Sequence, residues 1–316
     1  MIIYIRTWNI LVSRSNKIIL TVNIMSVLLC DSNCELWHTT LKEYGVDFIS
    51  MPYYIKDEEY FYDLGEKTDF KQFFGMVRSG EMPKTQALNP ENYKDIFTPY
   101  FERGEDVLYV SFSHAMSGTF NQLHTALNEL KEIYPERKCT IFNTNSISLG
   151  AGIQVLAAAR MKKAGATDEE IVKFLTDFTD KVAMYFVVDD LNHLKRGGRL
   201  GAFAAAFGTL LGIKPMLTVD AHGGLAVMEK LKGRKKALAT LADKVINDIA
   251  DKSFPVFVLD ADCPEEGDRI AELIKEKQPD VEIVRQTIGP VIGSHCGPGT
   301  TGVIFVANER PITLEK

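Results

Sequence analysis

Three short segments carry the side chains able to do chemistry. Pro83-Lys84-Thr85-Gln86 presents a threonine hydroxyl in a loop. Ser111 to Thr119 reads Ser-Phe-Ser-His-Ala-Met-Ser-Gly-Thr and sets several hydroxyls between a strand and a helix start. Gly289 to Gly299 holds His295 among four glycines and two prolines, a crowding of glycine that marks close approach of the backbone to something else. A Ser-Gly-Thr step at a helix N-terminus aims hydroxyls and unpaired amides at one point, with the positive end of the helix dipole behind them, which suits a carboxylate or phosphate. Each candidate has a plainer reading. Ser117 also works as a simple helix cap, with Ser113 nearby; His295 as a hydrogen-bonded structural histidine; Arg199, after Gly197-Gly198, as the partner of a neighbouring acid.

A different feature points to hydrocarbon. Gly201 to Gly212 predicts a helix apolar on every side, in which small residues leave room while Phe203, Phe207, Leu210 and Leu211 supply apolar surface. Ile292, inside the third segment, adds to that surface. Such a stripe is ordinarily plain core. Beside an anion site it makes a slot for a long aliphatic tail, since each buried methylene contributes roughly 0.8 kcal/mol.

The elements that must position these groups alternate short apolar strands with helical periodicity from Met25 onward. Strands are predicted at Ser26–Cys30, Val46–Met51, Val107–Phe112 and Thr140–Phe142. Helices are predicted through Leu36, Leu41 and Tyr44, from Ser117 to about Tyr134, and from Gly150 to Lys163. Thr167-Asp168-Glu169-Glu170 is a capping box that opens a further helix. This is a parallel-sheet α/β domain over residues 25–182. From Ala183–Val188 onward the pattern changes to a hairpin around His222-Gly223-Gly224 followed by alternating helices and strands, an α+β domain over residues 183–316. A ligand would lie between the two. Residues 1–24 carry Arg6, Arg14 and Lys17 with no acid before Asp31, and read as an appendage ahead of a fold that begins at Met25.

Composition narrows the function classes. The chain has 316 residues, enough for two well-buried cores, and a net charge of -6 argues against a nucleic-acid footprint. Five scattered cysteines read as reduced thiols of a cytoplasmic protein; Cys30 and Cys34 lack the second pair that a zinc site needs. No apolar run reaches the ~18 residues of a membrane span, although transient membrane contact is compatible with the basic N-terminal stretch. No G-x-G-x-x-G or Walker loop follows a strand.

Taken in order, the segments resemble the DegV family. The family's Lys-Thr-Ser-Gln-Pro loop corresponds to Lys84-Thr85-Gln86-Ala87, with Gln86 in place of the usual serine. Its Ser-x-x-x-Ser-Gly-Thr corresponds to Ser113–Thr119, and its Asp-Ser strand end to Asp31-Ser32. Leu194–Arg199 matches Leu-x-x-Gly-Gly-Arg, Ile213–Pro215 matches Ile-Lys-Pro, and Gly289–Gly299 matches Gly-Pro-x-Ile-Gly-x-His-x-Gly-Pro-Gly. Asn143 stands where an aspartate commonly ends the third strand. The resemblance implies a non-enzymatic protein without cofactor or metal, binding a long-chain fatty acid such as palmitate or oleate. Thr85 and Ser117 would hold the carboxylate, with Ser113, His295, Arg199 and Arg234 completing the polar network. It also implies a partner, a separate bacterial fatty acid kinase that makes acyl-phosphate for phospholipid synthesis. The alternative from the residues alone is an acyl-transferring or hydrolytic enzyme with Ser117 as nucleophile and His295 as base, though no third group to orient the histidine is evident and no G-x-S-x-G elbow occurs.

Overall fold

The computed structural model describes residues 11–12, 18–19, 26–200 and 213–311. The predicted helix from Gly201 to Gly212, with Phe203, Phe207, Leu210 and Leu211, lies outside the described residues. In the first 24 residues only Leu11–Val12 (β1) and Ile18–Ile19 (β2) are described, as an antiparallel pair. The main fold opens with Ser26–Asp31 (β3), His38–Tyr44 (α1) and Asp47–Ile49 (β4). Pro52–Ile55 (β5), Glu58–Phe61 (β6), Phe70–Arg78 (α2) and Lys84–Thr85 (β7) follow. Then come Pro90–Glu102 (α3), Asp106–Ser111 (β8), Thr119–Ile133 (α4), Cys139–Asn143 (β9), Leu149–Lys163 (α5) and Asp168–Thr179 (α6).

The C-terminal half begins with Val182–Val187 (β10) and Asn192–Arg196 (α7). Ile213–Val219 (β11) and Leu225–Lys232 (β12) form the expected hairpin, with a register shift between Met216 and Leu217. Arg234–Asp248 (α8), Val256–Asp260 (β13), Pro264–Lys277 (α9), Ile283–Thr287 (β14), Pro290–Cys296 (α10) and Thr301–Val306 (β15) complete it.

The molecule is α/β. Its N-terminal sheet, β4-β3-β8-β9, is parallel throughout, and its C-terminal sheet, β12-β11-β10-β15-β13-β14, is mixed. Parallel strands are covered on both faces, which is why Val27–Cys30 and Val107–Val110 are nearly unbroken apolar runs rather than alternating ones. Helix α5 contacts β3 and β8 from one sheet and β10 and β15 from the other, and every residue from Leu149 to Ala159 is buried. Its small residues are the reason it fits: a Cβ at Gly152 would stand 2.4 Å from the Cys34 carbonyl oxygen.

Three elements differ from the local sequence reading. Thr85 lies on a strand, not in a loop, because Tyr53 and Tyr54 pair with Thr85 and Lys84 from thirty residues upstream. The segment around His295 is a helix despite its glycines. Pro290 opens it at the first turn, where a missing N–H costs nothing, and Gly293 packs against Phe73 and Phe74 where a side chain would crowd. The expected strand Val46–Met51 is shorter, β4 ending at Ile49, and the Ser32 hydroxyl accepts the Met51 amide (2.9 Å) just before β5 begins.

The capping box is present with both reciprocal bonds, Glu170 N–H to the Thr167 hydroxyl (3.2 Å) and Thr167 N–H to the Glu170 carboxylate (2.8 Å). Thr167→Ala is therefore expected to lower the unfolding free energy by about 1 kcal/mol in urea titration with an unchanged m-value. No loss would mean that packing alone holds the start of α6.

Candidate functional site

In an open parallel sheet, ligands bind beyond the carboxyl ends of the strands where the strand order reverses. Here that point lies between β3, which continues to β4 on one side, and β8, which continues to β9 on the other. Asp31, at the end of β3, sews the two strand ends together. It accepts the Tyr109 hydroxyl (2.7 Å), the Asn33 amide (2.9 Å) and the Phe112 amide (3.3 Å). The Asp-Ser pair is thus scaffolding for the loops at the crevice. Asn143 does similar work, accepting the Asn145 amide (3.0 Å).

Facing these strand ends is α10, and between the two halves lies a cavity of about 150 Å³. One buried water needs ~10–15 Å³ on the same measure, so this is space for a ligand. Thr85, Ser117, Arg199, His295 and Ile292 all line it. Thr85 Oγ1 and His295 Nε2 are 2.8 Å apart, joining β7 to α10 across 210 positions of sequence. Nδ1 of His295 is buried with no hydrogen-bond partner among the described residues and sits against Gly197, where an added Cβ would be 2.3 Å away. A buried N–H without an acceptor costs more than a bare ring nitrogen, so the proton belongs on Nε2. The imidazole then donates to Thr85, whose own hydroxyl hydrogen is left free. Burial, helped by Arg199, pushes the His295 pKa down to about 4, so the ring is neutral at physiological pH.

Ser117 precedes the cap of α4; Gly118 is the N-cap residue, and the Ser117 hydroxyl lies 3.4 Å from the Thr119 amide. Arg199 reaches across the cleft. Its Nε donates to the Met116 carbonyl (3.2 Å) and Nη1 to the Gly197 carbonyl (2.5 Å). Among the described residues no carboxylate pairs with this half-buried guanidinium. Hydroxyls, a neutral histidine and one uncompensated cation thus converge on the same space.

Most of the remaining wall is apolar: Phe112, Ile147, Met184, Phe186, Leu225 and Leu259 among others. Gln86, from the first sequence segment, also reaches it, as do Asn33 and Ser148, which are absent from the sequence reading of the site. Gln86 sits beside Thr85 and was readable from that neighbour. Asn33 and Ser148 carried no local signal. Among the described residues no group of three or more His, Cys, Asp or Glu could hold a metal ion.

Two sequence candidates stand off the cavity wall. Ser113 is fully buried and donates to the Gly223 carbonyl (2.8 Å), pinning the β11–β12 turn to the N-terminal half. Arg234 is taken up by Glu266, the Gly299 carbonyl and the Thr301 hydroxyl. The Ser113 hydroxyl is donated inward, the Arg234 charge is matched by an acid, and neither residue lines the cavity.

The position of the ring is open to direct measurement. In NMR titrations His295 is expected to stay neutral down to about pH 4. In Gly197→Ala the new Cβ displaces the ring from its buried position, and its titration moves toward the ordinary 6.5. An unchanged acidic titration in that variant would show that Gly197 does not set the ring.

A profile of the DegV family, described as "Uncharacterised protein, DegV family", matches residues 26–308. A DegV domain-containing protein from Clostridium perfringens is 38% identical over 285 residues, covering 90% of this chain and 98% of that protein. A solved DegV family protein from Thermus thermophilus, described by its fatty acid binding, superposes with a TM-score of 0.78 at 26% identity, covering 90% of this chain and 99% of its own. DegV from Bacillus subtilis, described as a fatty acid binding protein, gives a TM-score of 0.78 at 28% identity, covering 90% and 100%. With the match running from β3 to just beyond β15, this chain belongs to the DegV family.

Proposed function

We propose that this protein binds one long-chain fatty acid, such as palmitate or oleate, in the cavity between its halves. In this reading residues 25–182 and 183–316 are the two domains that enclose the ligand, with residues 1–24 outside them. The carboxylate lies at the mouth formed by Thr85, Ser117, Arg199 and His295, and the hydrocarbon extends past Ile292 into the apolar space. Ser113 and Arg234 act one layer behind, holding the elements that bear the mouth. The observation that carries the reading is the unpaired Arg199 guanidinium at the polar end of an apolar cavity. A half-buried cation without an acid is a place for an anion. An apolar cavity beside it gives that anion a tail.

The energetic roles divide accordingly. With roughly 0.8 kcal/mol per buried methylene, a tail of about sixteen carbons dominates affinity, while the head group fixes orientation. Thr85, freed to donate by the Nε2–H tautomer of His295, and Ser117 supply two neutral hydrogen bonds to the carboxylate. Arg199 supplies the charge-assisted one. The hydrolytic alternative gains nothing from the geometry, because His295 Nε2 is bonded to Thr85 and not to Ser117. The relatives described as fatty acid binding proteins support a binding role. We further propose that the bound acid is presented to a separate fatty acid kinase in the cytoplasm. Among the described residues no helix is long and apolar enough to cross a membrane.

Denaturing the purified protein should release a long-chain acid detectable by mass spectrometry, and delipidated protein should take up palmitate or oleate. Thr85→Ala and Ser117→Ala are each expected to weaken that uptake by about 1–3 kcal/mol while leaving the fold intact. Arg199→Met should weaken it by a similar or larger amount. No released acid together with no uptake would defeat the proposal, and full affinity in all three variants would move the head group elsewhere.

A further inference from the structure

We infer that Glu35 is a positioning residue, a buried carboxyl that clasps the N-terminal half to α10 and thereby holds His295 at the cavity mouth. The inference rests on the fatty-acid reading of that mouth. Glu35 is fully buried and sits at φ 59°, left-handed backbone that residues with side chains seldom adopt. One carboxyl oxygen accepts the backbone N–H of Gly289 (2.6 Å), the N-cap residue of α10. The other shares a hydrogen bond with the hydroxyl of Ser148, whose residue lines the cavity. The Glu35 carbonyl accepts the side-chain amide of Gln286, at the end of β14. Ser148 itself is held at φ 49°, ψ -141°, so two facing residues are kept in uncommon conformations. Gly289 and His295 stand at opposite ends of a helix only seven residues long, roughly 10 Å. A shift at the first is therefore carried to the second.

Ionisation of this carboxyl would place a buried charge at the clasp, with no cation among the groups that shift its pKa. Burial lifts its pKa from 4.5 to about 8, with the bonds from Ser148 and Gly289 opposing the rise. Near neutrality the carboxyl is mostly protonated; its O–H donates to Ser148 and its other oxygen still accepts from Gly289. The titratable groups around it are Cys34 on its own turn, Tyr62 from the segment after β6, and Cys296 on α10. Tyr62 is held well above 10 and Cys296 at about 12, while His295 titrates near 4. Because burial holds the folded pKa above the unfolded one, the stability contributed by the neutral buried carboxyl is complete below about pH 4.5 and is lost as pH rises through about 8.

The test measures binding of palmitate and of its methyl ester to the delipidated full chain at pH 7 and 9. For the wild type, acid affinity is expected to fall about tenfold across that interval while ester affinity changes little, the fraction of Glu35 protonated falling from about 0.9 to 0.1 for a pKa of about 8. Glu35→Gln keeps a donor for Ser148 and an acceptor for Gly289, so its acid affinity should be flat with pH. Glu35→Ala should lose most of the preference for acid over ester. The same pH fall in wild type and Glu35→Gln overturns the inference, as does a retained preference in a folded Glu35→Ala. If no form of the protein binds either lipid, the fatty-acid reading fails by itself. The clasp is then judged by thermal unfolding: it stands if stability falls from pH 5 to 8 in the wild type but not in Glu35→Gln, and is overturned if the two profiles coincide.

Discussion

A single hydrogen bond, 2.8 Å between Thr85 and His295, closes the mouth of the cavity from opposite sides. Its two residues come from an edge strand of a small antiparallel sheet and from a short helix of the other half, so it exists only when both halves are in place. The bond fixes more than distance. With Nδ1 pressed against Gly197 and denied any partner, the imidazole must donate through Nε2, and the threonine hydroxyl keeps its own hydrogen for something else. A neutral ring is the condition for this arrangement, and burial supplies it.

The electrostatics of the cleft follow from the same burial. On the proposed reading, a carboxylate entering this apolar space needs compensation in advance, since moving an unpaired charge out of water is costly. Arg199, the group proposed for that role, is anchored by two backbone carbonyls that orient the guanidinium without neutralising it. Two other arginines of the same half show the reverse. Arg234 and Arg285 meet Glu266, Asp260 and Asp268, so their charges are matched within the fold. What separates Arg199 from these two arginines is what already faces each of them.

The halves are joined by polar contacts and not by packing alone. Ser113 on Gly223, Glu35 on Gly289, Arg199 on Met116 and Arg78 on Asp262 each tie a strand-end loop of one half to the other. The cavity walls, too, are drawn from both halves. Movement of one half against the other would therefore open the cavity and break the mouth together.

Much of this was legible along the chain. The apolar runs of β3 and β8, the Thr167–Glu170 box and the hairpin at Gly223 were all readable, because each is set by contacts within a few residues. Thr85, Ser117, Arg199 and His295 were readable as candidates because hydroxyls, glycines and a lone basic group clustered where strands end. Their convergence was not. Ser113 and Ser117 belong to one Ser-x-x-x-Ser-Gly-Thr motif, yet one hydroxyl points to Gly223 and the other residue faces the cavity, and no local spacing distinguishes them. Glu35 looked like an ordinary acid between a strand and a helix; only the arrival of Gly289, 254 positions later, makes it a buried bridge. The amino-acid order by itself determined the elements and the polar chemistry on offer, since these depend on neighbours in the chain. The tertiary structure alone decided which of those groups share one space, because burial, charge compensation and ring orientation are properties of residues brought together from far apart.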